Sequence, residues 1–117
     1  MNRDKKPGME TVKIGGLIYA VTKKSDLQGT NGNWGQIQYK KLEISLDDSL
    51  PGQLEDQTLI HEIVHGILAE AGYPNHEEDQ ANRIGLVLYQ VLTDNDFSWL
   101  RKGGRYEQAN EKEVVAD

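Results

Sequence analysis

The stretch TLIHEIVHGIL (Thr58–Leu68) belongs to the segment of the chain with the strongest helical periodicity. The apolar residues that recur around it at three- and four-residue intervals are Ile60, Ile63, Val64, Ile67, Leu68 and Ala71. This spacing places one apolar stripe along an α-helix. Gly72 and Pro74 follow, and such residues are typical of a helix end. The pattern predicts an amphipathic helix over about residues 52–71.

A second helix is predicted directly after this end. Asn75 and Glu78 have the spacing of a capping pair at a helix N-terminus. The apolar residues that would form the buried face of this helix are Ala81, Ile84, Gly85, Leu88, Val91 and Leu92. The pattern predicts a helix over about residues 76–94.

The chain before these helices is β-like. Val12 and Ile14 alternate with polar neighbours, and Gly15-Gly16 suits a two-residue turn. Residues 17–21 are apolar and partly β-branched, so residues 10–21 are predicted to form a hairpin.

Residues 22–33 are rich in Lys, Ser, Asp, Gly and Asn and predict a loop. A second β region over residues 34–46 follows, with a break near Lys40-Lys41. These patterns together predict an α+β fold. In it, a small antiparallel or mixed sheet with strands within residues 10–46 packs on the two helices.

The composition narrows the function classes. The 117 residues suit one domain, which we place at residues 10–100, between a disordered tail (1–9) and a flexible or weakly helical tail (101–117). A formal net charge of -6 gives no domain-wide basic footprint for nucleic acid. The lack of cysteine excludes disulfides and thiolate metal ligands.

The chain also lacks an apolar run of the roughly 20 residues that span a membrane. Its first residues are basic but lead into no apolar core of a secretory signal. We therefore expect a cytoplasmic protein with neither a membrane nor a nucleic acid as partner.

His61 and His65 are four residues apart on the predicted helix, so their imidazoles share one face, one turn apart. That spacing lets two histidines bind one metal ion. Glu62 lies beside the first histidine and is suited to take a proton from a zinc-bound water and pass it to the leaving group. The HExxH pattern predicts a zinc hydrolase with Glu62 as the catalytic residue.

A catalytic zinc site usually has three protein ligands and keeps a fourth position open. The candidates for the third ligand stand at the start of the second helix: His76, Glu77, Glu78 and Asp79. The helical wheel favours Glu78, at the margin of the apolar face, but the predicted capping role would occupy the same carboxylate. Residue types and spacing leave the choice open. They favour zinc over other divalent metals without excluding iron, cobalt or nickel.

Two segments resemble the ImmA/IrrE-type metallopeptidases, a family of small zincins common in bacteria, prophages and mobile elements. They are TLIHEIVHGIL (Thr58–Leu68) and EDQANRIG (Glu78–Gly85). In that family the HExxH helix is followed by a helix that opens with Glu-x-x-Ala-Asn/Asp, and the leading Glu is the third zinc ligand. The resemblance covers about residues 35–95, and the continuation LYQVLTDN (Leu88–Asn95) resembles short phage-encoded members.

The resemblance implies a minimal zincin-like fold of the gluzincin sort. One zinc ion would be bound by His61, His65 and Glu78, with Asn82 as an outer partner of a ligating histidine. An extended peptide would add to an edge strand within residues 36–46. The sequence offers Tyr73, Tyr89 or His76 as a second donor for the oxyanion.

The chain is therefore predicted to be a zinc-dependent metallopeptidase. Its substrate would be a peptide or protein, such as a regulatory protein in a phage or mobile-element context. The alternative hypothesis is a metal-stabilised interaction protein, in which zinc fastens two helices and a host or phage partner is bound without cleavage. The sequence specifies no oligomeric state.

Overall fold

The computed structural model of the chain describes residues 10–27 and 33–102. Its strands are β1 (Glu10–Ile14), β2 (Leu17–Lys24), β3 (Gly35–Gln38) and β4 (Glu43–Asp47), and a 3-10 turn at Tyr39–Lys41 separates β3 from β4. The helices that follow are α1 (Gly52–Glu70), α2 (Glu78–Asp94) and α3 (Ser98–Lys102). The predicted α+β class is confirmed. The tail predicted at residues 1–9 and most of the one predicted at 101–117 lie outside the described residues.

The sheet is mixed and has the strand order β1-β2-β4-β3. The outer pairs β1/β2 and β3/β4 are antiparallel, whereas β2 and β4 run parallel. The parallel pair requires the chain to cross from the end of β2 to the start of β4, and β3 lies within that crossing. As a result, β1 and β3 are the edge strands of the described sheet.

The hairpin at β1 and β2 forms as predicted. Ile14 pairs with Leu17, so Gly15 and Gly16 are the only residues of the turn. Their φ angles of 60° and 97° lie in the left-handed region that favours glycine, as a two-residue hairpin turn requires.

The predicted loop begins too early, because β2 continues through Thr22 to Lys24. Backbone pairing with β4 holds this polar extension, in the register Ala20↔Glu43 to Lys24↔Asp47. The hydroxyl of Thr22 donates to Glu43 Oε2 at 2.9 Å. The pattern of apolar residues did not predict this extension of β2, because it depends on pairing with β4, which lies about twenty residues away in the chain. Residues 28–32 of the predicted loop lie outside the described residues.

The core lies between the sheet and α1. Its buried residues are Ile14, Tyr19, Val21, Ile44 and Leu46, and Leu59 and Ile63 of α1 pack against them. Gly66 lets the helix approach closely, since a Cβ there would lie 2.8 Å from Ile14 Cδ1 and 3.2 Å from Ile37 Cδ1. Helix α1, which contains the HExxH motif, therefore packs directly on the sheet.

Helix α1 ends at Glu70, one residue before the predicted end, and Gly72 then reverses the chain. Gly72 has φ of 100°, and its N–H donates to the Ala69 carbonyl at 3.2 Å while Tyr73 N–H donates to the Leu68 carbonyl at 2.8 Å. This pair of hydrogen bonds is a Schellman motif, which satisfies the last carbonyls of the helix and reverses the chain.

Helix α2 differs from its prediction at its start and on its face. It begins at Glu78, and Glu77 caps it: Glu77 N–H donates to Gln80 Oε1 at 2.8 Å in a capping box. The predicted capping pair of Asn75 with Glu78 is wrong, because Asn75 lies in the turn before the cap.

The predicted apolar face of α2 is only partly buried. Ala81 and Gly85 are buried, whereas Ile84 and Leu92 are each 45% exposed. The reason is that α2 packs mainly on α1 and makes few contacts with the sheet. Among the helices of the described ranges, none combines the length and the apolar character that crossing a membrane requires.

Candidate metal centre

His61 and His65 lie one turn apart on the side of α1 that faces the start of α2. Their Nε2 atoms are 3.2 Å apart, and their side chains are mostly buried. Helix periodicity puts the two side chains on one face, because residues i and i+4 stack along it, and both Nε2 atoms contact Glu78. Both rings therefore direct the same nitrogen toward one point.

Glu78, the first residue of α2, meets these two rings. Its Oε2 lies 2.8 Å from His61 Nε2 and its Oε1 lies 3.1 Å from His65 Nε2. One ligand atom from each of the three residues lies within 4.8 Å of the others. The structure thus brings together the three residues that were predicted as metal ligands.

The three donors fit a zinc ion. Tetrahedral zinc with bonds of about 2.0–2.2 Å separates its ligand atoms by about 3.3–3.6 Å. The imidazole nitrogens lie 3.2 Å apart, and they lie 2.8 and 3.1 Å from the two different carboxylate oxygens of Glu78, so all three distances are close to but shorter than this separation. Two imidazoles and one carboxylate are also a donor set that suits zinc.

The other candidates for the third ligand are engaged elsewhere. Glu77 belongs to the capping box of α2. Asp79 accepts a hydrogen bond from Arg83 Nε at 2.8 Å. His76 lies 2.7 Å from Nδ1 of His65, the nitrogen on the opposite side of that ring from Glu78. The capping box also explains why the Glu78 carboxylate is available, since Gln80 takes the N3 role that the sequence assigned to Glu78.

Glu62 is buried at 6% exposure and lines the cleft with His61 and Glu78. Burial, and secondarily the negative charge of Glu78, raise the pKa of its carboxyl group to about 7. Desolvation disfavours the charged form of a carboxyl group and makes its carboxylate a stronger base. Burial also lowers the pKa of the His65 imidazole, although the Glu78 charge opposes that effect.

The cleft has a volume of about 490 Å³ and extends from His61 and Glu78 toward Gly35 of β3. Trp34, Gly35, Thr58 and Asn82 are among its lining residues. Trp34 is 48% exposed. Asn82 therefore lies in the cleft, but within the described residues no hydrogen bond joins it to either ligand histidine; the partner of His65 is His76.

Gly35 brings the edge strand against Glu62. A Cβ on Gly35 would lie 2.8 Å from Thr58 Cγ2, 3.2 Å from the Ser45 carbonyl oxygen and 3.3 Å from Glu62 Oε2. No other residue fits between strand and helix without displacing one of them. Our sequence reasoning did not single out Gly35, although a glycine inside a strand pattern is a known sign of close approach.

Tyr39 is a second residue that the sequence reasoning missed. Its hydroxyl donates to the His65 carbonyl at 3.3 Å, which ties the end of β3 to the motif helix. Of the predicted oxyanion donors, Tyr73 is 64% exposed and His76 is paired with His65.

Comparison with known proteins adds no relative: no family model, no curated protein and no solved structure matches the chain.

Proposed function

We propose that the chain is a zinc-dependent metallopeptidase that hydrolyses a peptide bond in a peptide or protein. The observation that carries this proposal is the convergence of His61, His65 and Glu78 from two helices, next to the buried carboxylate of Glu62. A zinc ion bound by the three donors would supply a Lewis acid that polarises the substrate carbonyl and acidifies a water molecule.

Glu62 would act as the general base and then as the general acid. Its carboxylate oxygen would accept the proton of the attacking water and pass it to the nitrogen of the leaving amine. The side chain is held between the edge strand and α1, with Gly35 and Thr58 as neighbours in the cleft wall. This enclosure keeps the carboxylate poorly solvated, which increases its basicity.

The edge strand β3 would hold the substrate. It ends the strand order of the described sheet, and Gly35, its first residue, lines the cleft beside Glu62. An extended peptide can add to such an edge through main-chain hydrogen bonds. A substrate bound in this way would pass its backbone along the cleft, in front of Glu62 and the three donors.

The burial of Glu62 favours a peptidase over a metal-stabilised interaction protein. A structural zinc site requires its ligands but gains nothing from a further carboxylate that is only 6% exposed. Burying a carboxylate costs free energy of folding. Such a cost is expected where the group has a chemical role.

The resemblance supports a regulatory protein of a phage or mobile element as the substrate, which is an argument by analogy with the family. We also propose a cytoplasmic location, which the lack of cysteine supports.

The test is the substitution Glu62→Gln in the full chain. Zinc content by elemental analysis should remain near one ion per chain, and folding should be retained, because the variant removes a buried charge. Cleavage of a mixture of unstructured synthetic peptides, measured by mass spectrometry, should fall by at least about a hundredfold, the usual scale of general base catalysis.

Glu70→Gln provides the matched control, since it makes the same change at an exposed position of α1. Its cleavage rate should equal that of the wild type. The proposal is wrong if the wild-type chain retains no zinc, if it cleaves none of the peptides, or if Glu62→Gln cleaves as fast as wild type.

A further inference from the structure

The imidazole of His65 is held at both of its nitrogens. Nε2 lies 3.1 Å from Glu78 Oε1 and 3.2 Å from His61 Nε2. Nδ1 lies 2.7 Å from Nε2 of His76. The contact with His76 is therefore on the nitrogen that a metal ion bound at Nε2 leaves available.

The direction of the hydrogen bond between His65 and His76 follows from the second contact that the His76 ring makes. His76 Nδ1 contacts the backbone carbonyl oxygen of Tyr73. A carbonyl oxygen only accepts, so Nδ1 of His76 carries the proton and donates it. In the neutral imidazole Nε2 of His76 then has a lone pair, and it accepts from Nδ1 of His65. This leaves the lone pair of His65 on Nε2. The Glu78 carboxylate also only accepts and competes for a proton on Nε2 in the metal-free chain, but a metal ion bound between the two atoms would remove that competition.

That tautomer is the one a metal site requires. A histidine binds a metal ion through an unprotonated nitrogen, and here this nitrogen faces Glu78 and His61. An acceptor at the second nitrogen fixes both the tautomer and the orientation of a ligand histidine. The acceptor here is an imidazole nitrogen, which is itself anchored to the backbone.

We propose that His76 is a positioning residue that holds His65 in the metal-binding tautomer and orientation. This inference rests on the proposed zinc site and assigns His76 a role beside that site rather than in it. The role differs from the predicted roles of His76 as third ligand or oxyanion donor, because its ring contacts the far nitrogen of His65.

One turn places both His76 and Glu78. The Schellman motif at Gly72 reverses the chain, and His76 lies between that reversal and the first residue of α2. The Tyr73 carbonyl that anchors His76 belongs to the same turn. The segment that supplies the proposed third ligand therefore also supplies the group that orients the second.

The first arm of the test measures zinc affinity in the full-length protein by competition with a chromophoric chelator. His76→Leu removes the acceptor and should weaken zinc binding by about 10–100-fold, the usual effect of losing an outer partner of a ligand. His76→Gln keeps an acceptor oxygen and should recover most of that loss. Asn75→Ala, at an exposed neighbour in the same turn, should bind zinc as the wild type does.

The second arm measures the tautomer of His65 directly, in the metal-free Glu78→Ala variant, which lacks the carboxylate that competes for a proton on Nε2. Nitrogen-15 NMR of this variant at about pH 8, where imidazoles are mostly neutral, should show His65 protonated at Nδ1. Adding His76→Leu should give a mixture of tautomers. If His76 only stabilised the turn, His76→Leu would not change the tautomer of His65. The Leu and Gln variants would then also have the same zinc affinity.

The inference is overturned if His76→Leu binds zinc within about twofold of wild type, or if His65 of the metal-free Glu78→Ala variant is protonated at Nε2. It is also overturned if His76→Gln loses zinc as completely as a ligand deletion, because His76 would then bind the metal itself. A wild-type chain that binds no zinc refutes the proposed function instead, and the tautomer measurement still decides whether His76 orients His65.

Discussion

The helices α1 and α2 both contribute to the candidate centre, but they are held in different ways. Helix α1 packs on the sheet and on α2, and its buried residues include Glu62, Val64 and Gly66. Helix α2 packs mainly on α1 and buries only Ala81 and Gly85 among its residues. Leu86 and Val87 of α2 are each 62% exposed.

Because of this difference, the site has two halves. The positions of His61 and His65 are fixed within one helix, whereas the position of Glu78 depends on how α2 packs on α1. The spacing of His61 and His65 follows from the helix itself. The position of Glu78 depends on the turn after α1 and on the close approach of α2, where a Cβ on Gly85 would lie 3.5 Å from His61 Cα. Substitutions in each half of the site test that division.

The largest expected effect concerns the two neighbouring glutamates at the start of α2. Glu78→Ala should weaken zinc binding by more than about a hundredfold, since a ligand contributes more than its outer partner does. Glu77→Ala, measured by the same chelator competition, should leave zinc binding nearly unchanged and cost about 0.5–2 kcal/mol of stability as a lost cap. Equal losses of zinc in both variants would contradict the assignment of Glu78.

The next prediction compares the same Val→Ala substitution on α1 and on α2. Val64→Ala removes two methyl groups at a position that is 2% exposed, and it should lower the free energy of unfolding by about 2–3 kcal/mol. Val87→Ala removes the same groups at 62% exposure and should change it by less than about 0.5 kcal/mol. Urea denaturation of both variants measures the difference. A comparable loss for Val87 would mean that a further surface covers α2 in solution.

The smallest effect concerns the contact of α1 with the sheet. Gly66→Ala would place a Cβ 2.8 Å from Ile14 Cδ1, so the tips of two isoleucines must move. The crowding costs about 1–3 kcal/mol and the helix preference of Ala returns about 1, so a net loss of up to about 2 kcal/mol is expected.

Gly52→Ala is the control for this substitution, because a Cβ there meets no atom within 4 Å. Its stability in the same urea denaturation should equal or slightly exceed that of the wild type. A gain in stability for Gly66→Ala would show that α1 is seated less tightly on the sheet than described.

Much of the fold could be predicted because its signals are local. The period of apolar residues located α1 within one residue at its C-terminus, where Gly72 ends it, and Gly15-Gly16 fixed the hairpin turn. The prediction failed where a distant partner decides. Thr22 to Lys24 form a strand because β4 pairs with them, and Ile84 is exposed because α2 packs mainly on α1 and makes few contacts with the sheet.

The sequence by itself determined the motif helix and the shared face of His61 and His65, because helical periodicity depends only on residues within two turns of each other. Only the tertiary structure decided which of four candidate side chains meets them. It also decided that Gly35 approaches Glu62 and that His76 approaches His65. These contacts join different elements of secondary structure. Their distances depend on how a turn reverses the chain and how two surfaces pack, which no local pattern encodes.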